Sequence, residues 1–365
     1  MMDLGLKKLD RYIMKKFMST FFIALILIIG IVIIFDISEK IDKFVSNEAP
    51  LKAVVFDYYL NFIPYFMNMF SPLFVFITVI FFTSRMAANS EIVAILSCGI
   101  SYHRMMKPYI ISAVLIALLS LSLNLWVIPR ANEKRNDFES TYVNKKNQSG
   151  TKNIHYQIAP GQFVTIESFS KWNNTAYDFT LESIEDNRML SKISAQSAVW
   201  DSTGGRWKLK NYVHRHYVDG MLADQVQAGK QLDTLISLSV DDFYRNKETV
   251  ENLPYKELEN LIAVQKMRGD ASIQYSLIEK HQRFALPFSA LILTIMGVSL
   301  SSRKKRGGIG WNMAIGIALS FSYILFQTIS STFALNAGLP AMIAVWIPNI
   351  LFAIIAFVLY RRTPQ

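Results

Sequence analysis

Six long apolar stretches limit what this chain can fold into. They run over Phe17–Phe35, Tyr59–Phe82, Tyr109–Ile128, Phe284–Leu300, Trp311–Leu335 and Ala341–Tyr360. Each is near the ~20 residues with which a helix crosses about 30 Å of hydrocarbon. Hydrocarbon holds no water to satisfy backbone N–H and C=O groups, so each stretch is expected to be a transmembrane helix. The fourth is the shortest, and Ile273–Arg283 is expected to extend its helix beyond the bilayer. The first outruns the ~7–15 apolar residues of a signal peptide, and no small-residue cleavage site follows, so a retained helix is expected. Composition agrees: 52% of residues are hydrophobic and 18% charged, against about 25% charged in ordinary globular chains. Disorder, collagen and a disulfide-stapled domain are excluded by the same values. The single cysteine, Cys98, can form neither an intrachain disulfide nor a cysteine zinc cage.

Charge placement gives the topology. The stretch 130–282 holds 20 basic and 20 acidic residues, and the rest of the chain carries the whole net charge of +10. The excess sits beside the apolar stretches: Lys7, Lys8, Arg11, Lys15 and Lys16 before the first; Arg85, Arg104 and Lys107 between the second and third; Arg303, Lys304, Lys305 and Arg306 between the fourth and fifth; Arg361 and Arg362 after the sixth. With six spans all four clusters fall on one side, which the positive-inside rule makes the cytoplasm. A basic chain can also signal nucleic-acid binding, but charge confined to span flanks fits membrane topology better.

The segment from about 130 to 282 then lies on the other side, and over 130–252 its pattern changes to alternation. Gln162–Glu167, Tyr177–Ile184, Trp207–Tyr217 and Leu232–Val240 alternate with period two, as half-buried strands do. Pro160-Gly161, Asn173-Asn174, Asp186-Asn187, Thr203-Gly204-Gly205 and Asp219-Gly220 supply turns. The expectation is an antiparallel β domain inserted between spans three and four. Tyr255–Met267 follows with helical spacing, aligning Leu258, Leu261, Ile262 and Gln265, and Gly269-Asp270 is expected to end that helix. The expected organisation is helices one to three with a cytoplasmic surface helix near 90–101 (1–129), the β domain (130–252), then a connecting helix and spans four to six (253–365).

Little catalytic chemistry is legible. The phosphate-cradling G-x-x-x-x-G-K-[ST] motif is absent, and Gly229-Lys230 is followed by Gln231. Asp36 and Asp57 sit at helix ends, leaving no acidic residue placed for a proton relay within a span. An energy source outside the chain, an ATPase docking on the cytoplasmic side, is the natural inference. The best docking candidate is Ser90–Ser101. Ser90 is placed to cap a helix, with Glu91 at its positive end. Ile92, Val93, Ile95 and Leu96 form an apolar stripe, and Gly99 is placed to end the turn. Such a helix fits a partner's groove or the lipid headgroups equally well. His214 and His216 lie two apart on a strand, a spacing open to a metal pair, but no third ligand is evident and no metal or cofactor is expected. Ser112, Ser120, Ser122 and Asn124 in span three, and Gln327, Ser330, Ser331 and Thr332 in span five, read as interhelical hydrogen-bonding groups.

Several motifs carry a resemblance. Leu9-Asp10-Arg11-Tyr12-Ile13 precedes span one, and Ser90, Glu91, Gly99 and Ser101 form an S-E-x-x-x-x-x-x-G-x-S run. Phe284-Ala285-Leu286-Pro287 opens span four, and Gly338-Leu339-Pro340 and Trp346-Ile347-Pro348 stand near the end. In order and spacing the chain resembles the LptF/LptG (YjgP/YjgQ) permease family along its whole length, and its Leu-Asp-Arg-Tyr start is closer to the LptG type. The resemblance implies a non-catalytic permease with a periplasmic β-jellyroll. It implies pairing with a second LptF/LptG-type permease as a heterodimer, two LptB-like ATPase subunits, and an LptC-like bridge protein. It further implies that lipopolysaccharide is extracted from the inner membrane and passed through the jellyrolls toward the outer membrane.

On that reading Ser90, Glu91, Ile92, Ile95, Leu96 and Gly99 form the coupling helix that receives the ATPase stroke. Lys40 and Lys43, after span one, are candidates for the lipid's phosphates, since lysine binds phosphate as a point charge. Pairing with Glu39 and Asp42 is the plainer alternative. Asp36 stands where LptG-type chains can carry a lysine. Ile158, Phe163, Ile166, Phe179 and Leu181 are candidates for an acyl-chain trough, although the domain's own core is the plainer reading for most of them. Three other readings stay open: an ABC membrane subunit transmitting force to a lipoprotein or cell-wall hydrolase, for which four spans and a very large first loop would be expected; a membrane-anchored enzyme with its site in the β domain, where no nucleophile–base pair is recognisable; and a membrane-anchored scaffold indifferent to changes at Glu91.

Overall fold

The computed structural model describes residues 7–143, 151–170, 172–186, 188–202, 204–218, 222–236, 238, 240–243, 250–270, 272–302 and 308–363. The basic cluster 303–306 and the turn at 219–220 lie outside them, as do Asn187 and Thr203. The described residues fall into two compact units, one within 1–143, 251–255 and 277–365, the other within 144–250 and 256–276.

The first unit is helical. Helix α1 spans Lys8–Ser46, α2 Leu51–Ala88, the short α3 Glu91–Ser97 and α4 Tyr102–Tyr142. After the β strands and α5 (Tyr255–Arg268) come α6 (Ile273–Ser301), α7 (Gly308–Asn336) and α8 (Ala341–Arg362). Six of these are long and apolar enough to cross a membrane, matching the six expected spans. They overrun the apolar stretches because a helix does not stop at the hydrocarbon boundary. It stops at a cap or breaker, such as Asn47 followed by Glu48 at φ +53° and Pro50 after α1. Helix α6 begins at Ile273, as the extension of span four required. Single π turns interrupt α2 at Val54–Tyr59 and α4 at Leu123–Val127.

Helix α2 is the hub. Spans two and four bury more than half of their apolar windows within the chain, spans one and five less than a quarter. Two glycines allow close approach to α2. A Cβ on Gly297 of α6 would meet Phe76 and Val79 at 3.1 Å, and one on Gly316 of α7 would meet the Ile80 Cδ1 at 2.4 Å. Small residues that let backbones approach are the ordinary device of membrane helix packing. Polar groups add a ladder in the buried interior. The Ser120 hydroxyl donates to Asn68 Oδ1 at 2.6 Å, and Asn68 Nδ2 donates to Asn124 Oδ1 at 2.8 Å. Ser330 donates to the Ala344 carbonyl and Ser331 accepts from Gln282, so these members of the expected group do bridge helices. Ser112, Ser122 and Thr332 instead bond carbonyls of their own helices.

The second unit holds strands β1 (Thr151–Ala159), β2 (Gln162–Ser170), β3 (Thr175–Glu185), β4 (Arg188–Asp201), β5 (Arg206–Val218) and β6 (Leu222–Thr234). Each pairs antiparallel with the next, so the expected jellyroll takes the form of one six-stranded sheet in chain order. The tight β1–β2 connection requires glycine: Gly161 has φ +73°, and a Cβ there would lie 2.3 Å from the Ile184 carbonyl oxygen. One sheet face is the core, with Ile158, Val164, Ile166, Phe179, Trp207 and Leu209 buried. Burying each large apolar side chain contributes roughly 1.5–3 kcal/mol. The alternation over Leu232–Val240 predicts a strand, but β6 ends at Thr234. Leu238 and Phe243 join the core instead, and the Leu238 carbonyl accepts from Trp207 Nε1 at 2.8 Å. Burial there comes from packing on the sheet core outside any strand, which reads like a strand in sequence. Helix α5 buries Leu258, Leu261 and Gln265, and Gly269 at φ +66° ends it as expected. The Asp270 N–H returns to the Gln265 carbonyl in the manner of a Schellman cap.

Candidate coupling site and lipid-contact positions

Residues 89–101 form a compact turn–helix–turn between α2 and α4. Ser90 adopts φ +62°, and its hydroxyl caps nothing, contrary to the sequence expectation. A left-handed residue serves to reverse the chain direction after Asn89, and the Ser90 carbonyl still accepts the Ala94 N–H. Glu91 occupies the first turn of α3. Gly99 closes the segment at φ +81°, its N–H bonded to the Leu96 carbonyl.

The apolar stripe is divided. Ile92 is buried in a cluster with Ile13, Met86, Tyr102, Met105 and Met106, and Ile95 and Leu96 pack partly against the same cluster. Val93 points outward and is 57% exposed. Ala94, Ser97 and Cys98 are exposed with it. Ile92, Ile95 and Leu96 thus anchor the segment on its own bundle, and the opposite face is the one presented.

Sequence reasoning missed what fastens this segment. Tyr12 donates its hydroxyl to Glu91 Oε2 at 2.9 Å, and Lys16 lies 3.9 Å from Glu91 Oε1 and 2.6 Å from the Tyr12 oxygen. Asp10 is buried, yet Arg104 binds it bidentately, Nη1 to Oδ1 at 2.7 Å and Nη2 to Oδ2 at 2.5 Å. Oδ2 also accepts the Lys7 N–H at 2.9 Å. Arg104 stands in the first turn of α4, which Ser101 caps by accepting the Arg104 N–H. The usable signal was an acid and an arginine each within the first turn of an apolar helix, because a buried charge there requires a partner. The motif residues of the chain start and of the 90–101 run therefore meet at one end of the helical unit. Tyr360 is at this end too, bonded to His103.

At the other end of α1, Lys40 is held by two carboxylates, Asp36 at 2.9 Å and Glu139 at 3.2 Å. It also bonds the Tyr58 hydroxyl. Asp36 in turn accepts from Tyr58 at 3.1 Å and Tyr59 at 3.0 Å. The pairing alternative considered in sequence was right in kind but named the wrong acids, because the nearest charges across the fold were not the nearest in the chain. Lys43 is exposed, and no ion pair is found for it among the described residues.

Of the five trough candidates, Ile158, Ile166 and Phe179 lie in the closed core of the sheet and Leu181 packs against it. Phe163 alone is on the exposed side, at 37%. Strand pairing sets Ile166 opposite Phe179 and Val164 opposite Leu181, on the same face. The rings of His214 and His216 lie with centroids 4.0 Å apart, tilted 47° to one another. Burial, and then the neighbouring His216, hold the His214 imidazole below its ordinary value. Among the described residues no group of three or more His, Cys, Asp or Glu is placed to hold a metal ion.

Comparison with known proteins agrees with this architecture. The family described as "Lipopolysaccharide export system permease LptF/LptG" matches residues 11–362, which takes in both membrane halves and the inserted sheet. No individually curated protein matches the chain. A match of that extent, over six membrane-length helices interrupted by a six-stranded antiparallel sheet, makes the chain a member of the LptF/LptG family of lipopolysaccharide export permeases and a multi-pass inner-membrane protein.

Proposed function

We propose that the chain is the permease subunit of an ATP-driven ABC transporter that extracts lipopolysaccharide from the inner membrane and passes it to a periplasmic bridge. Both termini and segment 89–101 face the cytoplasm in this reading, and the β domain, read from sequence as 130–252, faces the periplasm. The observation that carries it is the build of segment 89–101: an anchored apolar side, an exposed side, and a carboxylate tied to the first span. This is what a surface that takes force from a docked protein needs. Hydrolysis belongs to two LptB-like ATPase subunits, and the chain itself makes and breaks no bonds. Its membrane partner is a second permease of the family, and its periplasmic partner is LptC-like. Spans one and five keep most of their surface for lipid or for these partners.

Lys43 is the better headgroup candidate, since the Lys40 charge is already balanced by Asp36 and Glu139. Phe163 is the better acyl-chain candidate of the five, because it is the one on the exposed side of the sheet. The test is gentle purification of the tagged protein from native membranes, with mass spectrometry of bound proteins and lipids. The expected result is an LptB-like ATPase, a second permease and lipopolysaccharide, with Glu91→Lys losing the ATPase. Recovery of the chain alone, or with a hydrolase and no glycolipid, refutes the proposal.

A further inference from the structure

We infer that Asp10 and Arg104 are positioning residues that make the start of span one and segment 89–104 move as one body. A displacement applied to the segment is thereby delivered to span one. The inference rests on the coupling role proposed for that segment.

Three contacts between α1 and the segment carry it. The Asp10 carboxylate is 1% exposed, and both its oxygens are taken by the Arg104 fork. A bidentate pair whose acid is buried and whose arginine is partly exposed still fixes distance and orientation together, which a single-contact ion pair does not. Two residues on, Tyr12 donates to Glu91, and one further, Ile13 is buried in the same cluster as Ile92. Beyond this end, span one is held differently. Phe17, Phe21, Leu25 and Ile29 recur every fourth residue and are buried, while Ile23, Ile26, Leu27, Ile31 and Ile34 are exposed. Between Thr20 and Asp36 no side-chain hydrogen bond or ion pair from α1 to another helix is found among the described residues. At its far end Asp36 and Lys40 fasten it to Tyr58, Tyr59 and Glu139. A continuous helix with polar ties at its ends and an apolar stripe between them transmits displacement along its length. The stripe resists sliding only through dispersion contacts, because lipid is as apolar as the packed side chains.

The experiment uses the permease purified with its partner subunits, reconstituted with lipopolysaccharide in proteoliposomes. ATP hydrolysed and lipid delivered to a periplasmic acceptor are counted in the same sample. Asp10→Asn and Arg104→Lys are expected to keep the ATPase subunit and its hydrolysis. Lipid delivered per ATP should fall about tenfold or more, within the usual range of coupling between sites. In a Cys98→Ser background, Asp10→Cys with Arg104→Cys should show the same loss, and a short bifunctional thiol cross-linker should restore delivery. A merely structural pair would lower hydrolysis and delivery together and leave their ratio unchanged, which overturns the inference. Cross-linking that fails to restore delivery also overturns it, as does loss of the ATPase subunit from every variant. Failure of the unmodified complex to deliver lipid would instead refute the transport reading itself.

Discussion

The Gly316–Ile80 contact allows a quantitative test of how the helical unit is packed. An added Cβ at Gly316 would lie 2.4 Å from Ile80 Cδ1 but 3.6 and 3.7 Å from Cγ1 and Cγ2. The whole conflict is therefore with one methyl group. Ile80 is fully buried, so that methyl has little room to turn away. Overpacking of this kind costs ~1–3 kcal/mol, against about 1 kcal/mol gained by replacing a helical glycine with alanine. Gly316→Ala should then destabilise by ~0–2 kcal/mol net. Ile80→Val removes only Cδ1 and should cost ~0.5–1.5 kcal/mol alone. In the double variant the alanine methyl occupies the space that Cδ1 left. The double variant should therefore be at least ~1 kcal/mol more stable than the sum of the single changes, well outside the ~0.3–0.5 kcal/mol within which independent sites add. Gly297→Ala is the control, since its neighbours at 3.1 Å need give by only a few tenths of an ångström. It should be close to neutral. The assay is SDS-titrated unfolding of the purified protein in mixed micelles. Additive Gly316 and Ile80 effects, or a larger loss at Gly297 than at Gly316, would refute the packing described.

Phe179→Ala should destabilise the β domain by ~3–5 kcal/mol, as buried aromatic truncations do, while Phe163→Ala on the exposed side should change stability by under about 1 kcal/mol; limited proteolysis of the full chain reads both. A photocrosslinker at Phe163 should capture lipid in cells and one at Phe179 should not, and capture at Phe179 would mean that the core opens. The His214 imidazole is held below its ordinary value by burial and His216, so the unfolded chain binds that proton more readily. Stability is then fully present above about pH 6.5 and falls as the pH drops below it, a slope that His214→Gln should flatten in thermal unfolding followed between about pH 7 and 5.5.

The membrane half was legible because its signal is long and one-dimensional. All six spans are read from apolar length, and the extension of span four at Ile273 from helical continuity. The β domain was half legible. Strands β2, β3 and β5 alternate cleanly, whereas β1 and β4 carry the weaker patterns T-K-N-I-H-Y-Q-I-A and R-M-L-S-K-I-S-A-Q-S-A-V-W-D. Leu232–Val240 misled because period two reports burial on alternate residues, and Leu238 is buried against the sheet core without belonging to a strand. For the candidate site the sequence offers a position but not its geometry. Asp10 and Tyr12 stood out only as motif residues and Arg104 only as a flanking charge, and their pairing was not legible, since no local pattern says that residues 79 and 94 apart in the chain will meet.

That gap has a physical cause. In water, an apolar stripe specifies where a helix packs because burial itself is the driving force. In lipid the same stripe is equally content against acyl chains, so it says that a helix crosses but not which helix it touches. The choice of neighbour falls to the few features that lipid cannot imitate. Here these are the bare backbone at Gly297 and Gly316, the Ser120–Asn68–Asn124 ladder, and the ion pairs at the ends of span one. They are sparse, they involve common residue types, and each is defined by its partner rather than by its own neighbourhood in the chain. The same sparseness bears on function. Spans whose apolar faces are indifferent to what they touch can exchange protein, lipid and acyl chains at low cost while their polar ends keep register. Span one, fastened at Asp10 and at Lys40, is held between them by its apolar stripe alone.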